Sequence, residues 1–173
     1  MISTRHRTVL GAGLVAAAVL AGCSSSGGDG GTSPGGGPPP SAGGHAPDAA
    51  TTKAITKAYE VFFDSRETTA HAIATLQHGA KFRSTIIAEG KSNYGKQRTV
   101  ASVSKVLLVK RNLAKVTFSV KIGSQPVLPN SAGYAVREDG DWKVATQTFC
   151  SLLTLEGTAP PLCKDKSITA LPG

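Results

Sequence analysis

Residues 115–122 read KVTFSVKI, and the alternation of apolar and polar side chains in this stretch decides the fold class. The apolar residues occupy every second position and therefore lie on one face of a predicted β-strand, while the polar residues lie on the other. Strands with a single apolar face are typical of antiparallel sheets that are covered on one side. The apolar face of this strand consists of Val116, Phe118, Val120 and Ile122.

The neighbouring segments predict the rest of a sheet. Residues 99–110 are rich in Val and Leu and predict the preceding strand, with a turn over residues 111–114. A loop that contains Pro126 and Pro129 is predicted next, and a short strand follows over residues 134–137.

A hairpin is predicted to close the sheet. Residues 138–141 read EDGD, and an Asp-Gly pair between two strands is a strong signal for a tight turn. The last strand is predicted over residues 142–149, which brings the sheet to about four strands. One face of that strand holds Trp142, Val144, Thr146 and Thr148.

The first predicted helix covers residues 52–63, TKAITKAYEVFF. Its apolar residues recur at helical spacing, and Asp48 or Thr51 is expected to cap its N-terminus. The inward face consists of Ile55, Ala58, Tyr59 and Phe62.

Two further helices are predicted over residues 66–78 and 80–89, with Gly79 and Gly90 as the residues that end them. Helices therefore come first and an antiparallel sheet follows. This order is typical of an α+β fold, in which N-terminal helices cover the apolar face of a curved antiparallel sheet.

The N-terminus predicts an exported lipoprotein. Arg5 and Arg7 precede an apolar run that ends in LVAAAVLAGC, residues 14–23, and this run is too short to span a bilayer. Its last four residues resemble the lipobox of bacterial lipoproteins, in which the cysteine receives a diacylglyceryl group and becomes the new N-terminus. We therefore predict a signal peptide over residues 1–22 and a lipid anchor on Cys23. The alternative is an ordinary signal peptide with an incidental cysteine.

Residues 24–47 consist mostly of Ser, Gly and Pro and contain no large apolar side chain, so they predict a disordered tether that extends to residue 50. A Gly-rich chain of this length has a reach of about 27 Å. The folded domain is expected over residues 51–163, with a C-terminal tail over 164–173. The location expected for the domain is the extracytoplasmic face of the cell membrane.

The charge balance is basic, with 19 Lys plus Arg against 11 Asp plus Glu and a formal net charge of +8. Loss of Arg5 and Arg7 with the signal peptide leaves 17 basic residues and a net charge of +6. These residues are dispersed, without a dense cluster interleaved with aromatic side chains. The composition therefore favours a solvated basic face near an anionic membrane over a specific polyanion site, and we expect no nucleic-acid partner.

The two remaining cysteines, Cys150 and Cys163, are predicted to form a disulfide. Paired cysteines outside the cytosol are usually bridged. The bridge would close a short loop near the end of the domain.

Residues 133–163, GYAVREDGDWKVATQTFCSLLTLEGTAPPLC, resemble the C-terminal part of the mycobacterial low-molecular-weight secreted antigen family. The resemblance lies in the Asp-Gly turn, the Trp-Lys-Val element after it, and the Thr-Phe-Cys element followed by a second cysteine. It implies a cone of helices and curved sheet similar to nuclear transport factor 2, and a cell-envelope setting in actinobacteria. It implies no catalytic residue. Members released after signal cleavage differ from this chain, whose lipobox predicts attachment.

A cavity at the mouth of such a cone would hold an apolar ligand or contact an envelope protein. We expect a non-enzymatic binding or accessory domain; the alternatives are a small isomerase or dehydratase of the same fold, or a purely structural envelope antigen. The residues predicted to line the cavity are Tyr59, Phe62, Phe118, Val120, Tyr134, Thr146 and Thr148.

No catalytic, cofactor or metal site is predicted. His71 and His78 are seven residues apart, whereas a metal pair on one helix prefers a spacing of three or four. Glu60 and Asp64 are expected to pair with lysines on the helix surface. The glycines of residues 27–37 lie in the tether with no strand before them, so they do not form a phosphate-binding loop.

Overall fold

A computed structural model of the protein describes residues 44–92 and 95–173. Within them, five α-helices pack with a four-stranded antiparallel sheet, which confirms the predicted α+β class. The predicted signal peptide, Cys23 and most of the predicted tether lie outside the described residues.

The four strands lie in the sheet in the order in which they occur along the chain. Val116 and Phe118 are fully buried and Val120 is nearly so, as their alternation predicts, whereas Ile122 at the strand end is half-buried. The predicted hairpin turn is confirmed, since Asp139 and Gly140 both have positive φ angles, 54° and 91°. The strands are β1 (Thr99–Lys110), β2 (Leu113–Ile122), β3 (Gln125–Glu138) and β4 (Asp141–Val144).

The predicted loop around Pro126 and Pro129 is wrong, because both prolines lie inside β3. β4 pairs only with the last four residues of β3, from Ala135 to Glu138, so the first part of β3 has β2 on one side and no strand on the other. A proline is tolerated on such an edge, where no ladder needs its missing N–H. The short strand predicted at 134–137 is the end of this longer strand.

The predicted last strand is also wrong after Val144, where β4 ends and α4 (Thr146–Glu156) begins after one extended residue. The predicted strand would have Thr146 and Thr148 on the same face. In the structure the buried side chains recur at the spacing of a helix instead. Gly157, with φ at 75°, ends the helix in a left-handed conformation. The buried side chains of α4 are Thr146, Thr148, Phe149, Cys150 and Leu153.

The first helix is confirmed as α1 (Ala49–Phe63), and Asp48 is its N-cap, since its carboxylate accepts the N–H of Thr51 at 2.7 Å. The helix packs on β1 and β4. Of its predicted inward residues, Ile55, Ala58 and Tyr59 are buried and Phe62 is half-buried, and Val61 is buried as well. Before it, the main chain of His45 exchanges two hydrogen bonds with Leu108 on the edge strand β1, at 3.1 and 2.8 Å.

The second predicted helix is shorter than expected, because α2 comprises only Thr69–Thr75. The left-handed residue after it is His78, with φ at 54°, so Gly79 is not a helix cap but the start of a 3₁₀ turn, Gly79–Phe82. A Cβ atom at Gly79 would collide with the carbonyl oxygen of Ile73, which explains glycine at this position.

The third helix, α3, spans Arg83–Lys91, so Gly90 lies inside the helix rather than ending it. Ile86 is its buried residue, and it joins the main core.

The disulfide is confirmed, with Cys150 bonded to Cys163 at an S–S distance of 2.01 Å. The segment after Cys163, predicted only as a tail, contains the short helix α5 (Lys166–Thr169). Its Ile168 is 4% exposed and packs in the main core, while Leu171 packs on a second, smaller apolar cluster formed by Leu113, Val136 and Ala145.

A candidate ligand groove

The interior between α1 and the sheet is filled by side chains. Tyr59 and Phe118 are fully buried and their ring centroids lie 5.0 Å apart. Phe63 stacks on Phe118 at 5.5 Å, and Phe62 meets Phe149 edge-on at 5.4 Å. These rings hold the helices on the sheet and fill the space between α1 and the strands.

The polar groups of this interior bind one another. The Tyr59 hydroxyl donates to the carbonyl oxygen of Tyr134 at 2.9 Å, and Thr148 Oγ1 accepts the N–H of Tyr134 at 2.7 Å. Burial raises the pKa of Tyr59 well above its usual value, so the hydroxyl stays protonated and acts as a donor.

Thr146 is held by a second set of polar contacts. Its N–H donates to the side-chain oxygen of Gln77 at 3.0 Å, and its hydroxyl donates to the Gln77 carbonyl at 2.6 Å. Both residues are buried, so these bonds attach the start of α4 to the segment after α2.

A groove with a volume of about 790 Å³ opens beside this filled interior. Its walls come from the end of α1, from α2, α3 and α4, and from the adjoining ends of β2 and β3. The volume lies within the range of roughly 300–1,000 Å³ that small-molecule sites occupy. Its apolar lining includes Phe62, Ala72, Ile86, Val120, Leu128 and Phe149.

The groove collects exposed aliphatic side chains. Ile87, Val127 and Leu155 all line it, with exposed fractions of 36%, 43% and 77%. Among the described residues only one other large apolar side chain is exposed, Val109 at 47%, and it lies outside the groove. Scattered exposed apolar residues need no explanation, but three in one concave site form a patch of the kind that contacts a ligand or partner.

The rim of the groove is acidic although the protein is basic. Asp64 is paired with Arg66 at 2.8 Å, and the Arg66 guanidinium lowers the pKa of Asp64 to about 2. Glu67 contacts His71 Nδ1 at 2.7 Å. The other two carboxylates, Glu89 and Glu156, have no ion-pair partner within the described ranges, and the lining contains one cation there, Lys91.

The predicted cavity residues divide into two groups. Phe62 and Val120 line the groove. Tyr59, Phe118, Thr146 and Thr148 lie in the packed interior, each at most 4% exposed, and the side chain of Tyr134 packs on the smaller apolar cluster.

Sequence reasoning missed most of the groove, because its walls come from α2, α3 and a helical α4. The helical recurrence of Phe149, Leu152, Leu153 and Glu156 is the signal that would have found one wall.

The most connected titratable cluster lies away from the groove. Glu138 contacts Lys143 Nζ at 2.8 Å and His78 Nδ1 at 3.3 Å. Burial acts to raise the pKa of Glu138, but the hydrogen bond and charge of Lys143, helped by His78, outweigh it and lower that pKa. This cluster ties the end of β3 to β4 and to the segment after α2.

No group of three or more His, Cys, Asp or Glu side chains within the described ranges is arranged to hold a metal ion. None of the helices in the same ranges is both long enough and apolar enough to cross a bilayer.

Fold and groove together define a small α+β domain with one disulfide and an apolar, acid-rimmed groove at one end of its core. The family model described as "Low molecular weight antigen MTB12, C-terminal domain" matches residues 48–160. The chain therefore belongs to this family, and the predicted resemblance is confirmed. Family membership indicates an antigen of the extracellular or envelope compartment. A comparison with curated proteins finds no match.

Proposed function

We propose that the protein is a membrane-attached, non-enzymatic binding module of the cell envelope, whose groove takes up an apolar molecule. The observation that carries this proposal is the groove itself, with a volume of about 790 Å³ and three exposed aliphatic side chains in its lining. Burying those side chains under a ligand removes apolar surface from water, which supplies the driving force for binding.

The buried polar groups support a binding role rather than a catalytic one. The Tyr59 hydroxyl and the hydroxyls of Thr146 and Thr148 are engaged in hydrogen bonds within the packed interior. A general acid or base must reach a bound substrate, and these groups face protein partners instead.

Binding is tested with a neutral apolar fluorophore, N-phenyl-1-naphthylamine, titrated into the purified protein. We expect saturable fluorescence enhancement that Val127→Thr combined with Leu155→Gln weakens several-fold, because both changes make the groove lining polar. The matched control is Val109→Thr, which changes the same residue type at similar exposure on β1 outside the groove. Equal affinity in the groove variant and the control would show that the groove is not the binding site.

The membrane attachment rests on the lipobox and on the short tether that follows it. Cys23 stands directly after small residues at the end of the apolar run, where lipid transfer and cleavage require them. Two acyl chains are enough for stable anchoring, since each buried methylene contributes about 0.8 kcal/mol.

The intact mass of the protein, extracted from the membranes of an actinobacterial host, tests the anchor. A mature chain that begins at Cys23 and carries the added mass of acyl chains is expected. The Cys23→Ser variant is expected to lose that mass and to leave the membrane fraction. A mature chain without acyl mass would show that the signal is an ordinary one.

A further inference from the structure

The acidic rim carries information about the ligand beyond its apolar character. The groove lining holds four carboxylates, Asp64, Glu67, Glu89 and Glu156, against the single cation Lys91 among the described residues. This local balance is opposite in sign to the net charge of +8 of the whole chain. A basic protein that gathers acidic side chains around an apolar groove presents that groove to positive charge.

The four carboxylates differ in whether an ion pair neutralises their charge. Asp64 has Arg66 as its ion-pair partner and also lies in the field of Arg98. Glu89 on α3 and Glu156 at the end of α4 face the groove from two helices, and neither makes an ion pair within the described ranges.

The environment of Glu156 is unfavourable to its charge. Partial burial raises the pKa of Glu156, and repulsion from Glu89 raises it further. Glu89 and Glu156 therefore repel each other in the groove, and a cationic group bound there is attracted by both carboxylates.

The apolar lining suits the chain of a ligand that carries such a group. Three phenylalanine rings, Phe62, Phe63 and Phe149, line the groove. Together with the exposed aliphatic side chains they offer apolar surface that an alkyl chain can cover.

We propose that the ligand of the groove is a small cationic amphiphile, whose apolar chain lies on the aliphatic and aromatic lining and whose cationic head lies between Glu89 and Glu156. This inference rests on the proposed binding function and specifies its ligand class. The groove volume of about 790 Å³ is that of a small-molecule site, which favours an amphiphile over a protein segment.

The test compares three amphiphiles with the same alkyl chain and different heads: dodecyltrimethylammonium, dodecyl maltoside and dodecyl sulfate. Each is titrated below its micellar concentration into the purified full chain at neutral pH, and binding is followed by calorimetry. The cationic probe is expected to bind most tightly and the anionic probe most weakly. If the net positive charge of the whole protein governed binding instead of the acidic groove, the order of affinities would be reversed.

Charge-neutral variants locate the effect. Glu89→Gln combined with Glu156→Gln is expected to lower the affinity for the cationic probe roughly three- to tenfold, because two partly exposed charge contacts are removed. The affinity for dodecyl maltoside is expected to stay unchanged. Glu60→Gln, on the exposed side of α1 and outside the groove, is the matched control. Because the variants share the rest of the chain, binding of a probe elsewhere contributes equally to each titration and cancels when the variants are compared.

Each result has one meaning. Equal affinity for all three heads, unchanged by the Gln variants, would overturn the cationic ligand but leave the apolar groove standing. No binding of any probe would overturn the proposed function and this inference with it. Preference for dodecyl sulfate would overturn the inference in favour of the basic surface. Binding of a cationic amphipathic peptide, but not of dodecyltrimethylammonium, would overturn the small amphiphile in favour of a protein partner.

Discussion

Replacement of Thr148 by valine tests how the start of α4 is fixed to β3. Thr148 is 4% exposed, and its Oγ1 accepts the N–H of Tyr134 at 2.7 Å. Valine keeps the shape of threonine but cannot accept this bond. The Tyr134 N–H is then left without a partner in the packed interior, and a methyl group takes the place of the oxygen.

The expected loss is about 2 kcal/mol, since a buried donor left unsatisfied costs roughly 1–3 kcal/mol. Tyr59→Phe removes a bond to the same residue but is expected to cost only about 1 kcal/mol. The reason is that the Tyr134 carbonyl, which accepts the Tyr59 hydroxyl at 2.9 Å, also accepts the N–H of Ala145 at 2.9 Å and therefore stays satisfied. The two substitutions thus differ although both delete one hydroxyl.

Urea and thermal unfolding, followed by circular dichroism, measure the difference. Thr148→Val is expected to lower Tm by about 10 °C, and Tyr59→Phe by about half as much. Thr148→Ser is the control, because it keeps the oxygen and loses only one buried methyl, worth about 1 kcal/mol. The reasoning is refuted if Thr148→Val unfolds within about 0.5 kcal/mol of the wild type, which is the usual range for a substitution that breaks no contact.

Three further predictions concern stability. Replacing Cys150 and Cys163 by serine removes a link between residues 13 apart and should lower the free energy of unfolding in urea by about 3 kcal/mol relative to oxidised wild-type protein, whereas reduced wild-type protein should unfold like the variant. Asp48→Ala should lower Tm by a few degrees through loss of the α1 cap, whereas Asp48→Asn, which still carries a side-chain oxygen, should retain most of the stability; an unchanged Tm in Asp48→Ala would show that the cap does not matter. The lowered pKa of Glu138 stabilises the fold fully above its usual value of 4.5 and progressively less as the pH falls below it, so the deficit of Lys143→Met should shrink on acidification; a deficit constant with pH would contradict the ion pair.

The sequence alone was enough to predict the fold class. The alternation at 115–122 requires a one-sided strand, and the helical spacing of Ile55, Tyr59 and Phe62 requires a helix with one apolar face. The Asp-Gly turn and the disulfide were also predicted correctly, since both depend on local chemistry. The lipid anchor on Cys23 was read from the same kind of local pattern and awaits its test.

The segment from Thr146 to Cys150 shows where local reasoning stops. Its residues satisfy a strand pattern and a helix pattern at once, because Thr146 and Thr148 alternate while Thr146, Phe149 and Cys150 follow a helix. The structure settles the matter through partners distant in sequence: Gln77 takes the N–H and hydroxyl of Thr146, and Thr148 binds Tyr134.

The groove likewise depends on contacts between segments that are far apart in sequence. Five of its lining residues, from Phe149 to Glu156, are brought there by α4, and others come from α2 and α3. No single stretch of sequence shows that Glu89 and Glu156, which are far apart along the chain, face one groove. The sequence determined which segments have an apolar face, because that is a local property of side-chain period; only tertiary packing decided which faces remain uncovered, because that depends on the partner each face finds.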